Sequence, residues 1–417
     1  ALKEIYNTQR ADRAPSLEPM LQALARLELS IDPNRVVIVA GTNGKGSVSA
    51  ILEALCTHAG ERVGLYTSPH LVDTAERVRV SGKEISHTDF CKTYEAVLQR
   101  TQGIVLSHFE VLTLMAAWYF FSGNGFTKVD RAIFEVGLGG TWDATNAIPH
   151  SNVIVTSIGL DHTNLLGNTF TSVAENKFGV VTGPMNVVCA PLPHEAELVA
   201  ARTEKKFGGT WVHVPEVKNV EVEHLASGEP VFHLQTKWGS AASPLPGLRG
   251  AQNTLTAFTA FETLGFEPAK HLSGLAAVSW PGRMQRIELN PPVHCRVYVS
   301  GDHNPQGMAS LVELLKYYPR RKLHLVVGIG HDKDQTGVLA PLFNLPNTRV
   351  YLTETPFRGR KIADYDARWS EQAAFVSAVP KDALLKACSR AAADDMVVVT
   401  GSLYLVGHVL GMANAKR

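Results

Sequence analysis

The chain has no surplus of charge: 40 Lys and Arg stand against 39 Asp and Glu, a formal net charge of +1 over 417 residues. A balance of that kind provides no basic footprint for nucleic acid or for an anionic membrane, and neither is expected as a partner. Cysteine is sparse as well. Cys56, Cys91, Cys189, Cys295 and Cys388 are scattered, odd in number, and free of CxxC pairs or metal-ligand spacing. They read as reduced, mostly buried thiols. No run of about 18 apolar residues occurs. The opening Ala1-Leu2-Lys3-Glu4 lacks a charged region followed by an apolar one, so a cytoplasmic location is expected. Internal repeats and low-complexity tracts are also missing.

What is present is a globular composition, 45% hydrophobic and 19% charged, on a length suited to roughly two to three domains. Short β-rich runs alternate with helical patterns: VVIVA (36–40), VGLY (63–66), RAIFEV (131–136), NVIVTSIGL (152–160) and NVVCA (186–190). Alternation of this type predicts a parallel sheet with crossover helices, and the unbroken apolarity of the runs predicts strands covered on both faces. Crossover helices are expected over 47–59 and 107–121, the latter opening on a Ser107/Glu110 capping box. Residues 211–240, interrupted by Gly228 and Pro230, read as a small antiparallel excursion. After Pro281, Gly282 and the Pro291-Pro292 pair a second alternation begins with CRVYVS (295–300), KLHLVVGI (322–329), TRVYLTE (348–354) and MVVVTGS (396–402). The expected division is therefore 1–290 and 291–417, two α/β domains of which the second is smaller.

The strongest local signal is VVIVA-GTNGKGS-VSAILEAL. A strand, the loop Gly41-Thr42-Asn43-Gly44-Lys45-Gly46-Ser47 and a helix form the layout that binds nucleotide phosphate. Glycines let backbone N–H groups converge on phosphate oxygens, the helix N-terminus adds its dipole, and Lys45 adds a mobile charge. The fit to GxxxxGK[ST] is imperfect, since Val39 takes the first glycine position and Gly46 separates Lys45 from Ser47. A glycine-rich turn with no ligand is the bland alternative, but it leaves Lys45 without a use. GTNGKGS resembles the phosphate loop of the Mur-ligase superfamily, and its Lys-Gly-Ser ending resembles the folate branch, the folylpolyglutamate synthase/dihydrofolate synthase family.

Four further segments carry the same resemblance. YTSPHLVDTAERVRV (66–80) is similar to the family's TSPHL…ERIRV loop, with Ser68 at a strand end where its hydroxyl can reach a bound ion. A plain Ser-Pro turn is the alternative. FEVGLGGTWDATN (134–146) is similar to EVGLGG…DATN and leaves Glu135 at the end of an apolar strand, where a carboxylate is costly unless paired or metal-bound. Thr141 stands where many members carry arginine. SIGLDHTNLLGNTF (157–170) resembles the LDHT…LG motif, in which His162 can offer a neutral nitrogen to a second metal ion, or be a structural histidine. VAENKFGVV (173–181) resembles the KAGI segment, with Phe178 replacing alanine. In many relatives that lysine, here Lys177, is carbamylated. Carbamylation needs a neutral amine, and an unperturbed lysine titrates near about 10.4, so burial must lower its pKa. A surface or salt-bridged lysine is the alternative. The phosphate loop, Ser68, Glu135 and His162 all fall at or beyond carboxyl ends of expected strands, the edge where open α/β sheets bind ligands.

LRGAQNTLTAFTAFETL (248–264) resembles the helix whose asparagine, here Asn253, approaches adenine. WPGRMQRI (280–287) resembles a segment whose arginine, here Arg283, reaches ATP phosphate, although packing at a domain junction would also explain it. YVSGDHNPQGM (298–308) resembles DGAHNP, but Ser300 replaces the aspartate and Asp302 replaces the alanine, while His303, Asn304 and Pro305 are kept. GIGHDKD (328–334) and GSLYL (401–405) match further motifs, so the likeness runs from about 17 to 410.

The resemblance implies a Mur-ligase-like P-loop ATPase domain with a mostly parallel sheet, and a smaller Rossmann-like C-terminal domain of the glutamate-ligase type. It implies ATP-dependent joining of L-glutamate to a folate or dihydropteroate carboxylate through an acyl phosphate. Lys45, His162, Lys177, Arg283 and His303 become the candidate catalytic residues. Residues 41–47, with Asn253, Arg283, Ser300 and Asp302, become the nucleotide contacts. Ser68, Glu135, His162 and Lys177 become the magnesium ligands, with two ions expected. His303 and the residues near Asp332 should reach the site when the domains close. A monomer is expected. Two rival readings stand beside this one: an ATP-binding homologue without catalysis, which the altered 299–305 segment would suit, and a Mur-type ligase for a different carboxylate. About 35 residues precede the first strand, which leaves a UDP-substrate domain little room. Glu76 and Arg77 are read either as part of a pteridine pocket or as a structural ion pair.

Overall fold

The structure, a computed structural model, describes residues 15–126, 128–289 and 293–414. The first four residues, the Pro291-Pro292 pair and the division expected near residue 290 lie outside the described residues. No helix among the described residues is long and apolar enough to cross a membrane.

Eight strands form the large sheet: β1 (Val36–Ala40), β2 (Val63–Tyr66), β3 (Val78–Val80), β4 (Lys83–Glu84), β5 (Arg131–Glu135), β6 (Asn152–Val155), β7 (Met185–Cys189) and β8 (Gly209–His213). Their order is β4-β3-β2-β5-β1-β6-β7-β8. All neighbours are parallel except β2–β3 and β3–β4. The apolar run of β1 follows from two covered faces. Val36, Ile38 and Ala40 face one core, with helices Glu18–Leu27 and His108–Phe121, while Val37 and Val39 face another, with helices Lys45–His58 and Gly247–Thr263. Truncating a side chain such as Ile38 to alanine in such a core costs about 2–5 kcal/mol.

Helix His108–Phe121 starts where the sequence puts its signal: the Ser107 N–H donates to the Glu110 carboxylate (2.6 Å) and the Glu110 N–H donates to the Ser107 hydroxyl (3.3 Å). The run 152–160 does not continue as strand. β6 stops at Val155: the Thr156 N–H still donates to the Ala40 carbonyl (2.9 Å), but the Ser157 carbonyl accepts the Thr42 N–H (2.6 Å) and the Thr156 and Ser157 hydroxyls donate to the Asn43 carbonyl, at 2.8 and 3.1 Å, so the chain passes from the sheet onto the phosphate loop.

The antiparallel excursion is a three-stranded sheet of β9 (Glu221–His224), β10 (Pro230–Thr236) and β11 (Gly239–Ala242), in the order β11-β10-β9. The remaining strands are β12 (Gln285–Ile287), β13 (Arg296–Val299), β14 (Leu323–Val327), β15 (Thr348–Thr353), β16 (Phe375–Ser377) and β17 (Met396–Thr400). They form a sheet of order β12-β13-β17-β14-β15-β16, parallel except for β12. Here too alternate residues enter opposite cores, Met396 and Val398 on one face and Val397 and Val399 on the other. The carboxyl ends of β13 and β14 lead into 300–304 and 328–333, which meet the edge of the large sheet.

Candidate active site

The loop after β1 is shaped by its glycines. Gly41 and Gly44 have φ of 139° and 90°, and Gly44 precedes the helix that begins at Lys45. The N-cap residue Gly44 has no side chain to cap that helix, and of the first-turn N–H groups that of Gly46 acts on the Glu135 carboxylate. The turn is fastened to the segment after β6: the Thr42 N–H donates to the Ser157 carbonyl (2.6 Å), the Thr42 hydroxyl to the Gly159 carbonyl (3.0 Å), and the Asn43 N–H to the Ser157 hydroxyl (3.1 Å). Lys45 Nζ folds back to the Thr42 carbonyl at 3.2 Å.

Glu135, the last residue of β5, is buried and accepts the Ser68 N–H at 3.0 Å. Burial pushes its carboxyl up, against the pull of Lys45, the Ser68 N–H, Arg283 and the Gly46 N–H. The structure thus joins four sequence segments, the loops after β1 and β2, the end of β5, and 280–287, around one carboxylate. Among the described residues no three His, Cys, Asp or Glu side chains gather into a metal cage. Glu135 beside Ser68 is instead the sparse set that suits Mg²⁺, which takes one or two carboxylates and leaves other positions to phosphate and water.

The other expected metal ligands stand differently. Lys177 is buried and donates from Nζ to the Gly41 carbonyl at 2.7 Å, neither at the surface nor in a salt bridge. Burial, aided by Lys45, brings its amine down to about 7. His162, in a left-handed conformation (φ 50°), has its side chain 40% exposed and Nδ1 3.8 Å from an Asp332 oxygen. Its pKa is lowered, chiefly by burial of the ring.

Its neighbour Asp161 is the residue that sequence reading passed over. It accepts from Lys333 and from Asn304 Nδ2 (2.9 Å), and lies 3.5 Å from His303 Nε2. Burial alone would raise its carboxyl, but His303, Lys333 and His162 hold it far below the usual range. Asn43 Nδ2 also donates to Asn304 Oδ1 (3.1 Å) and Gln306 Oε1 (2.8 Å). These bonds join the phosphate loop and the loop after β6 to the segments after β13 and β14, so His303 and Asp332 are at the site in this structure.

A cavity beside the phosphate loop is bordered by Ser47, Arg249, Asn253, Arg283 and Ser300. Asn253 lies against Gly44, where a Cβ would come within 2.6 Å of Asn253 Oδ1. Arg283 is half-buried, and desolvation lowers its pKa while Asp302 and Glu135 oppose the loss of its charge. Asp302 accepts from Arg249 (2.6 Å) and from the Ser300 hydroxyl (2.7 Å). Arg249, Gln306 and Lys333, like Asp161, carry no signal of their own in sequence; each matters through a partner more than 50 positions away or in the other sheet.

Glu76 and Arg77 do not form an ion pair with each other. Glu76 accepts the N–H groups of Leu71, Val72 and Asp73 at 2.7, 2.8 and 2.7 Å, fixing the loop, and Arg77 Nε donates to His70 Nδ1 at 2.9 Å.

Residues 282–403 match the family model "Mur ligase, glutamate ligase domain". The dihydrofolate synthase/folylpolyglutamate synthase of Bacillus subtilis is 30% identical over 95% of this chain and 94% of its own length. Among solved structures, a folylpolyglutamate synthase of Mycobacterium tuberculosis complexed with ADP superposes with a TM-score of 0.86 at 27% identity, covering 99% of this chain and 97% of that one. A bifunctional folylpolyglutamate synthase/dihydrofolate synthase with Mn, AMPPNP and L-glutamate bound gives 0.82 at 29% identity, covering 98% and 96%.

Proposed function

The chain belongs to the dihydrofolate synthase/folylpolyglutamate synthase family of ATP-dependent ligases, and we propose that it adds L-glutamate to a folate-type carboxylate, dihydropteroate or a reduced folate, through an acyl phosphate. The observation that carries this is the glycine loop before helix Lys45–His58 standing at the same sheet edge as buried Glu135 and Ser68, with the second sheet's Asn304 bonded to Asn43 and Lys333 to Asp161.

A carboxylate does not condense with an amine until one of its oxygens becomes a leaving group. The loop N–H groups and Lys45 bind the phosphates of ATP. A folate carboxylate oxygen then forms a bond to the γ-phosphorus as the bond to the ADP oxygen breaks, and Arg283 offsets the charge on the transferring group. Ser68 and Glu135 would hold a magnesium ion, whose chemistry when bound is to neutralise phosphate oxygens. We assign His162 to a second ion and read Lys177 as a carbamate formed from its neutral amine and CO₂ with loss of a proton; the buried amine near Gly41 supports that reading. Glutamate nitrogen next attacks the acyl carbon and gives up a proton, which His303 can take when neutral with Nε2 turned from Asp161, since Nδ1 donates to the Gly301 carbonyl (3.0 Å), and the tetrahedral adduct expels phosphate. The docked segments 300–306 and 328–333 exclude water, which would otherwise hydrolyse the acyl phosphate.

The altered 299–305 segment does not favour a silent homologue, because Asp302 and Ser300 are bonded to each other beside the nucleotide cavity. The decisive assay measures ADP release with and without a pteroate plus glutamate. Lys45→Ala and Glu135→Ala should each lower ligation by about a hundredfold or more, and near-wild-type rates in either would overturn the assignment. A panel of dihydropteroate, dihydrofolate and tetrahydrofolate identifies the acceptor.

A further inference from the structure

Cys295, the residue before β13, and Cys388, in the last turn of helix Pro380–Arg390, are free thiols, 7% and 8% exposed, in one apolar core. The register of the second sheet brings them together. Arg296 pairs with Met396 across β13 and β17, which puts Cys295 level with Asp395. The Asp395 N–H donates to the Ala392 carbonyl (3.0 Å) and the Asp395 carboxylate accepts the Ala392 N–H (2.9 Å), so the turn that follows the helix is folded tightly. The Ala391 N–H donates in turn to the Cys388 carbonyl (3.2 Å). The two sulfurs are in hydrogen-bond contact, the Cys388 S–H donating to Cys295 Sγ. That bond favours the Cys295 thiolate and lowers its pKa against desolvation and the nearby Asp395, whereas the Cys388 thiol is pushed up. The other thiols stand apart: Cys56 and Cys189 are buried in separate cores of the large sheet, and Cys91 is exposed.

We propose that Cys295 and Cys388 form a reversible oxidation site, a thiol pair that hydrogen peroxide converts to a disulfide stapling the start of β13 to helix Pro380–Arg390. The Cys295 thiolate attacks one peroxide oxygen, the O–O bond breaks, and the released hydroxide takes up the proton that Cys295 gave up, leaving a sulfenic acid and water. The Cys388 sulfur then attacks Cys295 Sγ, the S–O bond breaks, and the departing hydroxide takes the Cys388 proton to become a second water. The two sulfurs lose two electrons in all, and the peroxide gains them. Because the sulfurs already touch, the bond needs side-chain rotation and little backbone travel. The closed loop contains β13, β14, β15 and β16, four of the six strands of the second sheet. Restricting so long a loop in the unfolded chain is how a disulfide stabilises the folded one. Cys295 is at the amino end of β13, and residues 300–304 follow its carboxyl end. The staple therefore strengthens the second sheet without altering a group used in the reaction.

The test treats the full chain, carrying Cys91→Ser so that the exposed thiol cannot bridge two molecules, with a small excess of hydrogen peroxide. Intact mass and unreduced peptide mapping follow. The mass should fall by about 2 Da as two thiols are lost, with the Cys295 and Cys388 peptides joined, and dithiothreitol should reverse both changes. The melting temperature of the oxidised protein should be higher by about 5 °C or more, and dithiothreitol should remove the gain. With Cys388→Ser added, the mass should rise instead, as Cys295 takes up oxygen with no partner to resolve it, and the thermal gain should vanish. Should that variant fail to fold, peptide mapping of the protein with both thiols decides alone. Thiols that stay unreacted, Cys295 carried to the sulfinic acid while Cys388 is present, a bridge to Cys56 or Cys189, or a disulfide that lowers the melting temperature each overturn the proposal. None of these outcomes touches the ligase assignment, which the ADP-release assay decides separately.

Discussion

A lysine buried beside another lysine is an expensive residue, and Lys177 is both. Its amine is brought down to about 7 by burial and by Lys45, whereas in the unfolded chain it titrates near about 10.4. Between those values the unfolded chain binds the extra proton, so the stability contributed at this position rises with pH across the window; below it both states are protonated and the native state bears the full desolvation cost. Lys177→Met should therefore raise the melting temperature in carbonate-free buffer, by about 5 °C at pH 6, with the gain shrinking by pH 9.5, while ligation is lost. Thermal unfolding of both proteins across that range checks it, and a pH-independent difference would contradict it. The position of this lysine was legible in sequence because its neighbours match a motif. Its environment was not, since Gly41 and Lys45 lie more than 130 positions away. The same holds for Asp161: its letter sits in a quoted motif, but its importance comes from Lys333 and Asn304, which only the docking of two sheets supplies.

Elements were easier to read than pairings. β1, β2, β5, β13, β14, β15 and β17 fall on the apolar runs that mark them, because strands covered on both faces are apolar through their middles and take polar residues such as Arg131, Glu135 and Arg296 mainly at their ends. β6 is shorter than its run of 152–160 because beyond Val155 the Ser157 carbonyl and the hydroxyls of Thr156 and Ser157 bond to the phosphate loop, which the run itself does not reveal. That loop also shows how closely elements are fitted. A Cβ on Gly46 would lie 2.2 Å from the Trp280 ring, which is itself held under the Arg79 guanidinium at 5.4 Å, and Arg79 is bonded to Glu53 at 2.6 Å. Gly46→Ala should displace Trp280, cost about 1–3 kcal/mol as other overpacked sites do, and raise KM for ATP by about tenfold or more. Denaturant unfolding and an ATP titration measure the two effects. An unchanged KM would show that the indole does not set the shape of the loop.

At the scale of the whole molecule, the role we propose for the contacts between the two sheets' loops is to keep water from the acyl phosphate. Asp161 and Lys333 are nearly buried, with side chains 9% and 11% exposed, so each compensates a charge that would otherwise be stranded. Removing one partner of such a pair costs about 3–5 kcal/mol, mostly because the other charge is left buried. Lys333→Met should thus weaken the docking of 300–306 and 328–333 more than Lys333→Met combined with Asp161→Asn does. The expected result for the single variant is a larger radius of gyration by X-ray scattering with ADP present, and a higher ratio of ADP released to amide formed as water reaches the acyl phosphate. The carboxyl of Asp161 is held far below its usual range. Its contribution is therefore complete above the unfolded carboxylate value of about 3.9 and is lost only as pH falls toward the depressed folded one. Coupling of ADP release to amide formation in the wild type should accordingly stay constant from pH 8 down to about 5. If the single variant keeps the wild-type ratio, water is excluded by something other than this clasp, and the bonds from Asn43 to Asn304 and Gln306 become the next to remove.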